Sequence, residues 1–328
     1  MKIEKLAVNC LNLAGDHTYQ ILRENLLRHN RKWLVGRSDL YRFAKGKLEG
    51  NLKQAQKVVE IRKGLYDYEY FNICFLNNVL ALLLTYLADG VVPYINICTA
   101  KGENIWEQFF EQPYSEKIKD LTEGEVLEEK NLEAFPSFDE VFSDRSVWMW
   151  GSLYNRFVVF NKKTQDYMSQ EQQAIFTGDR KILGVCCRGT DYTRLKPMGH
   201  PVQPEVEDVI AKAKDMMDAC GYEYIYLATE DGKIDRMFRE QFPGKILINR
   251  RMYYDEIFED HDLTWIKDVH FDRDNDDYWK GAEYLSSLMI LSKCDALLAG
   301  NCGGSQMAVF QTHGKYEQVF IYDLGLYE

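Results

Sequence analysis

Residues 184–201, GVCCRGTDYTRLKPMGHP, place a guanidinium and a carboxylate directly after a run of small and apolar side chains. A buried strand that ends in Arg188 has to bring that charge to a partner or a ligand, because an unpaired buried charge is costly. Arginine keeps its charge and grips phosphate oxygens with a two-pronged fork. A structural ion pair with Asp191 or another acid would also explain it. A second segment, GNCGGSQ at residues 300–306, is glycine-rich and opens a helix. There the amides of Gly303 and Gly304 can approach a phosphate closely, with Ser305 and Gln306 adding polar side chains. Taken alone it reads equally well as a tight turn. Thr229, Glu230 and Asp231 form a third compact polar segment after an apolar run. Three such ends on one sheet favour a phosphate-binding site over three separate structural explanations.

Other constellations are weaker. Asp272-Arg273-Asp274 has the form of an Asp-x-Asp metal clamp, although acids in a loop before a helix more often make a solvated surface and a cap. The expectation is therefore no metal. No histidine has ligand spacing, and His200 stands apart only because it closes the Arg188 loop. Trp106, Phe109 and Phe110 could stack on sugar rings. Their helical spacing would pack them inward just as well. The chain lacks both GxGxxG and a Walker loop, which argues against a dinucleotide oxidoreductase and a P-loop NTPase.

The elements that must hold these residues follow a regular rhythm after residue 177. KILGVCCR, YEYIYLAT, KILI, DALLAG and EQVFIYDL read as strands, with helices between them. PEVEDVIAKAKDMMDACG is the clearest helix, with proline at its start and Gly221 just past its end. Nearly continuous apolar strands alternating with helices mean a parallel sheet covered on both faces. The first half is also α/β. A helix is expected from Asp16 through HTYQILRENLLRHNRKWLV, and another over NLKQAQKVVEIRKGL. A long apolar helix should end near Asp89-Gly90, and VVPYINI should be a strand. The expected domains are 1–177, an α/β unit, and 178–328, a Rossmann-like unit carrying the three candidate phosphate-binding segments.

The 328 residues carry a net charge of −11, so a broad basic face for nucleic acid is not expected. The eight cysteines show no Cys-x-x-Cys spacing, which points to a reducing compartment. No signal peptide is evident, and the most apolar stretch is far shorter than the roughly 20 residues a bilayer needs. These features predict a cytoplasmic protein with no transmembrane segment, which a lipid-linked acceptor would bring transiently to a membrane surface.

The three segments together, over residues 180–325, resemble the α1,6-fucosyltransferase and nodulation-factor fucosyltransferase superfamily, related to the protein O-fucosyltransferases. Cys186-Cys187-Arg188-Gly189-Thr190-Asp191-Tyr192 stands where that family has His-x-Arg-Arg-Thr-Asp-Lys, with His200-Pro201 at the family's spacing. Ala228-Thr229-Glu230-Asp231 matches Ala-Thr-Asp-Asp, and LSKCDALLAGNCGGSQ matches a helix ending in Cys-Asp and a strand leading to Ser-Ser-Gln. NIWEQFFEQP is similar to bacterial members that act in surface-polysaccharide assembly. The resemblance implies a GT-B fold, two Rossmann-like domains facing a central cleft, and an inverting, metal-independent transfer from GDP-fucose to a glycan. It implies Arg188 and Ser305 on the β-phosphate. Cys186 occupies the family's guanine-contacting histidine position and Ser287 its guanine-reading aspartate, with Glu283 one turn away as a substitute. Gly189 replaces the second arginine and Lys196 the acidic base. Asp191 and then His200 are the base candidates, alongside Arg188 as the catalytic cation. Two rival readings stay open. One is a transferase with another donor, possibly using Asp272 and Asp274 to hold a metal. The other is a non-catalytic nucleotide- or carbohydrate-binding relative.

Overall fold

The computed structural model describes residues 2–48, 57–62, 68–120, 141–260 and 268–328. The chain divides into two compact units, Met1–Asn161 and Lys162–Glu328.

The first unit opens with three helices, α1 (Lys2–Leu13), α2 (Asp16–Arg28) and α3 (Lys32–Ala44). The single helix expected from Asp16 is thus two. It breaks at Asn30, whose φ of 55° lies in the left-handed region that asparagine tolerates. Buried Arg23 ties α2 to Asp39 on α3 and to Asp89. The helix expected over NLKQAQKVVEIRKGL is corrected where it is described. Val58–Ile61 is strand β1, paired in parallel with β2 (Val92–Ile95), as suits a β-branched run. Between them α4 (Ile73–Ala88) is almost wholly buried, and Gly90 follows its end with φ 74°. Short helices α5 (Ile105–Phe109) and α6 (Ser115–Asp120) precede α7 (Asp144–Phe157). Most of the acidic stretch at 115–145 lies outside the described residues.

The second unit begins with α8 (Lys162–Ile175), earlier than the expected division after residue 177. Five strands follow: β3 (Ile182–Cys186), β4 (Tyr224–Ala228), β5 (Ile246–Leu247), β6 (Ala296–Gly300) and β7 (Gln318–Tyr322). Their order is β5-β4-β3-β6-β7, and every pairing is parallel. This is the doubly wound, Rossmann-like arrangement, and the α/β expectation holds. Helices α9 (Thr190–Leu195), α10 (Val206–Cys220), α11 (Gly232–Gln241), α12 (Asp255–Asp260), α13 (Asp276–Leu291) and α14 (Gly303–Gln311) connect the strands. Gly221 ends α10 in the left-handed conformation. One core face joins β3, β4 and β6 to α10 and α11 through Leu183, Val185, Ile225, Val209, Phe238 and Leu298. Helix α8 belongs here because Tyr167 meets Trp279 of α13 at 5.8 Å and Glu171 accepts the Arg250 amide at 2.9 Å. Among the described residues no helix is long and apolar enough to cross a membrane.

Candidate functional site

The chain leaves β3 toward β4 on one side and returns through β6 on the other. A crevice therefore opens at the carboxyl ends of β3 and β6, where open α/β sheets take ligands. Each of the three central strands delivers one of the polar segments to that edge.

Glu230 organises the loop after β3. Its Oε1 accepts the Gly189 amide at 2.8 Å and the Thr190 hydroxyl at 3.1 Å, and its Oε2 lies 3.3 Å from Arg188 Nη1. Asp231 caps α11 through the amides of Lys233 and Ile234, and its other oxygen takes the Thr190 amide at 3.4 Å. Burial raises the Asp231 carboxyl above its usual range, against these amide bonds. These bonds hold Thr190 at a φ of 46°. A Cβ on Gly189 would stand 2.5 Å from Asp231 Oδ2, so no side chain fits there. Glu230 and Asp231, expected to face the donor, spend their oxygens on shaping the loop that presents Arg188.

The third segment is built around a thiol. Cys302 is the N-cap of α14, with its sulfur on the Ser305 amide and the Ser305 hydroxyl on the Cys302 amide at 3.0 Å. That hydroxyl donates back to the Gly300 or Cys302 carbonyl, at 2.8 and 2.9 Å, and Ser305 is fully buried. The expected contact between Ser305 and a phosphate is corrected accordingly: its side chain closes the helix start. The amides of Gly303 and Gly304, in the first turn of α14, have no carbonyl partner within the helix. A Cβ on Gly304 would stand 2.9 Å from Leu288 Cδ2, so a larger residue there has to displace that side chain. Gln306 turns back to Asn301 at 3.0 Å. Cys186 Sγ lies 3.9 Å from Cys302 Sγ. Their shared hydrogen bond pulls the two thiols apart. Cys302 falls to about 6, helped against its burial by Arg188 and Ser305, while Cys186 is pushed up.

These groups line a small cavity of about 30 Å³, whose walls include Arg188, Thr229, Arg251, Ser287, Cys302 and Gly304. It has room for only about one or two waters. A larger hollow of about 740 Å³ lies between α10 and α11, against Met217, Met237 and Phe242. None of the three loops reaches it, so the chemistry belongs with the smaller cavity.

Known proteins add the following. No family model matches the chain, and no curated protein does. Among solved structures, POFUT1 in its apo form aligns at 9% identity over 81% of this chain and 97% of its own, with a TM-score of 0.47. The NodZ α-1,6-fucosyltransferase soaked with GDP-fucose aligns at 12% identity over 83% and 96%, with a TM-score of 0.48. Fucosyltransferase NodZ from Bradyrhizobium aligns at 11% over 82% and 96%, with a TM-score of 0.46. At these scores the likenesses carry no weight for the residues of the site.

The remaining expected residues divide clearly. Cys186, Arg188, Thr229, Glu230, Ser287 and Gly304 share the one cavity. Ser287 is buried and donates to the Tyr284 carbonyl at 2.8 Å. Glu283 is held by Arg273 and by the Met252 amide at 3.2 Å, which corrects its assignment as a base reader. His200 is exposed, in a loop zipped to the chain's last residues through a Pro201–Leu326 bridge and the Tyr327 amide at 2.9 Å. Asp191 falls in α9, with its side chain outside the described ones. Asp272 and Asp274 are exposed, and among the described residues neither belongs to a group of three or more converging metal-ligating side chains. The group that does converge is His270, Asp276 and Asp277, whose carboxylates engage Lys280 at 3.0 Å and Arg273 at 2.7 Å. The sugar-stacking role for Trp106, Phe109 and Phe110 is corrected. All three are buried in the first unit's core, with Trp106 packed 4.7 Å from Phe110 and its Nε1–H donating to the Glu111 carbonyl at 2.9 Å. Arg251 was missed, although KILINRR repeats the apolar-strand-then-arginine pattern that marks Arg188.

Proposed function

We propose that this chain is a metal-independent, inverting glycosyltransferase whose second unit binds the diphosphate of a nucleotide-sugar. GDP-fucose is the donor and a glycan or surface polysaccharide the acceptor. The observation that carries this reading is the Arg188 guanidinium, fixed by Glu230 at the carboxyl edge of β3 and sharing a cavity wall with Gly304 at the start of α14. A preorganised cation beside open helix amides suits a group that gains negative charge as it leaves. The order of the three sequence segments supports fucose and guanine over other donors.

In this reaction the bond from the anomeric carbon to the β-phosphate oxygen breaks while the acceptor hydroxyl oxygen bonds that carbon from the opposite face. Arg188 and the Gly303 and Gly304 amides meet the charge left on the diphosphate. Ser305 and Glu230 act one step back, holding the helix start and the loop. The acceptor proton passes to a base, with Asp191 the first candidate and His200 the second. The 30 Å³ cavity is far smaller than a diphosphate, so binding requires the side chains over it to part.

The test is thermal stabilisation by GDP, UDP, ADP and CMP, each with and without a chelator, because a ligand that binds only the native state raises the midpoint. A GDP-selective rise that survives the chelator is expected. A rise for another nucleotide replaces the donor, a chelator-sensitive rise restores the metal-dependent reading, and no rise with any nucleotide makes the Arg188 loop purely structural. Stabilisation by GDP without fucosyl transfer to any glycan would favour the non-catalytic relative.

A further inference from the structure

We infer that Arg251 is a second phosphate-gripping arginine of this site, so that two guanidinium groups from different strand ends take the oxygens of one diphosphate. The inference rests on the nucleotide-sugar reading above and adds to it a residue that no sequence segment singled out.

Arg251 follows β5 at the same carboxyl edge of the sheet, and its neighbours pin its backbone. The Tyr226 hydroxyl donates to Asn249 Oδ1 at 2.9 Å, and Asn249 Nδ2 donates to the Glu283 carbonyl at 2.9 Å. On the other side the Met252 amide donates to Glu283 Oε2 at 3.2 Å. Arg250 turns away to Glu171 on α8. Arg251 turns into the wall of the cavity that Arg188 and Gly304 also line.

Its electrostatic situation differs from that of its neighbours. Arg188 is balanced by Glu230, Arg239 by Asp235, Arg250 by Glu171, and Arg273 by Glu283 and Asp276. Among the described residues no carboxylate lies within ion-pair reach of Arg251, and its buried Nε–H has no hydrogen-bond partner. A charged N–H removed from water and left unbonded is unfavourable by more than a neutral one. The cavity wall therefore holds a cation with an unspent buried donor, and Gly304 in the first turn of α14 shares that wall. An anion with several oxygens satisfies both, and the guanidinium fork matches two phosphate oxygens at once. Phosphate oxygens are the shared chemistry of a nucleoside diphosphate and of inorganic pyrophosphate, and the experiment separates these.

Calorimetric titration of wild type, Arg188→Gln, Arg251→Gln and Arg251→Lys with GDP and with pyrophosphate tests this. Arg251→Gln should weaken both ligands by about tenfold or more, the scale of losing charged hydrogen bonds. Arg251→Lys should recover part of the loss, since it keeps the charge without the fork. The unliganded thermal midpoint of Arg251→Gln should stay at or above that of wild type, because a half-buried guanidinium whose buried Nε–H has no partner is removed. If Arg251→Gln binds GDP as tightly as wild type while Arg188→Gln does not, Arg251 is not a ligand and the nucleotide reading stands. If wild type binds pyrophosphate but not GDP, the same variants still decide Arg251, and only the nucleotide reading falls. Binding of neither ligand by wild type overturns both. Should Arg251→Gln fail to fold, the deciding measurement is GDP or pyrophosphate protection of wild-type Arg251 against phenylglyoxal, read on the modified peptide. Protection is expected, and equal modification with and without ligand counts against the inference.

Discussion

Two segments carry side chains of the kind that bind ligands, and they meet opposite fates. Arg188 leaves a buried strand and stops at the sheet edge, with its side chain 17% exposed and its loop tied to Glu230 and Asp231. Trp106, Phe109 and Phe110 come from a short helix and its end, and all three rings are sealed inside. The difference lies in what each group loses on burial. A guanidinium gives up hydration and must be compensated by an anion, whereas each aromatic ring gains by removing about 150–250 Å² from water. Position at the end of a parallel strand thus separates a group left at the surface from one sealed in the core better than residue type does.

The strongest challenge to that contrast is Trp106→Ala. Emptying the core position should lower the unfolding free energy by about 3–5 kcal/mol in urea. A loss under about 1 kcal/mol would put the ring on a surface after all. Arg188→Ala should cost at least ~2 kcal/mol in transition-state stabilisation, read from kcat/KM with GDP-fucose. Near-normal turnover removes Arg188 from the site. Gly189→Ala should cost about 1–3 kcal/mol of stability through overpacking against Asp231 and Ile234, again by urea unfolding. Ser305→Ala should cost about 1 kcal/mol through the lost helix cap and weaken GDP only indirectly, by less than Arg188→Gln does. The reverse pattern, intact stability with lost affinity, would return its hydroxyl to the ligand.

A further expectation concerns pH. The hydrogen bond from Cys186, with Arg188 and Ser305 nearby, lowers the Cys302 thiol toward about 6, below the ordinary thiol value of about 8.5. The folded state therefore holds fewer protons than the unfolded chain between these values, and stability should rise with pH across that window. The contribution is complete above the unfolded value and lost as pH falls through about 6. Because Cys186 keeps its proton, part of the gain should be given back at higher pH. Denaturation midpoints of wild type against Cys302→Ser, measured from about pH 5 to about pH 9, check the sign. Parallel curves would mean that Cys302 does not ionise there.

Much of the second unit is legible in the sequence because its signals are local. Apolar strands, the Pro204 entry to α10 and the Gly221 stop follow from the residues themselves, and strand alternation then brings three polar ends to one edge. The partners of those ends are not legible. Which acid pairs with Arg188, that Ser305 faces inward, and that Arg251 lacks a carboxylate all depend on residues distant in sequence. Val58–Ile61 escapes a sequence reading because a short apolar run with flanking lysines fits a helix until a parallel neighbour exists to pair with it.

The close approach of Gly189 to Asp231 and Ile234 also constrains how such a chain can change over generations. One volume of space is shared by three positions in two connections, and it is already full. A larger residue at 189 can be accepted only after 231 or 234 has shrunk. Shrinking 231 first removes the acceptor for two α11 amides and for Thr190. Either order passes through a weakened intermediate, so the loop that displays Arg188 and the start of the neighbouring helix are inherited as one unit.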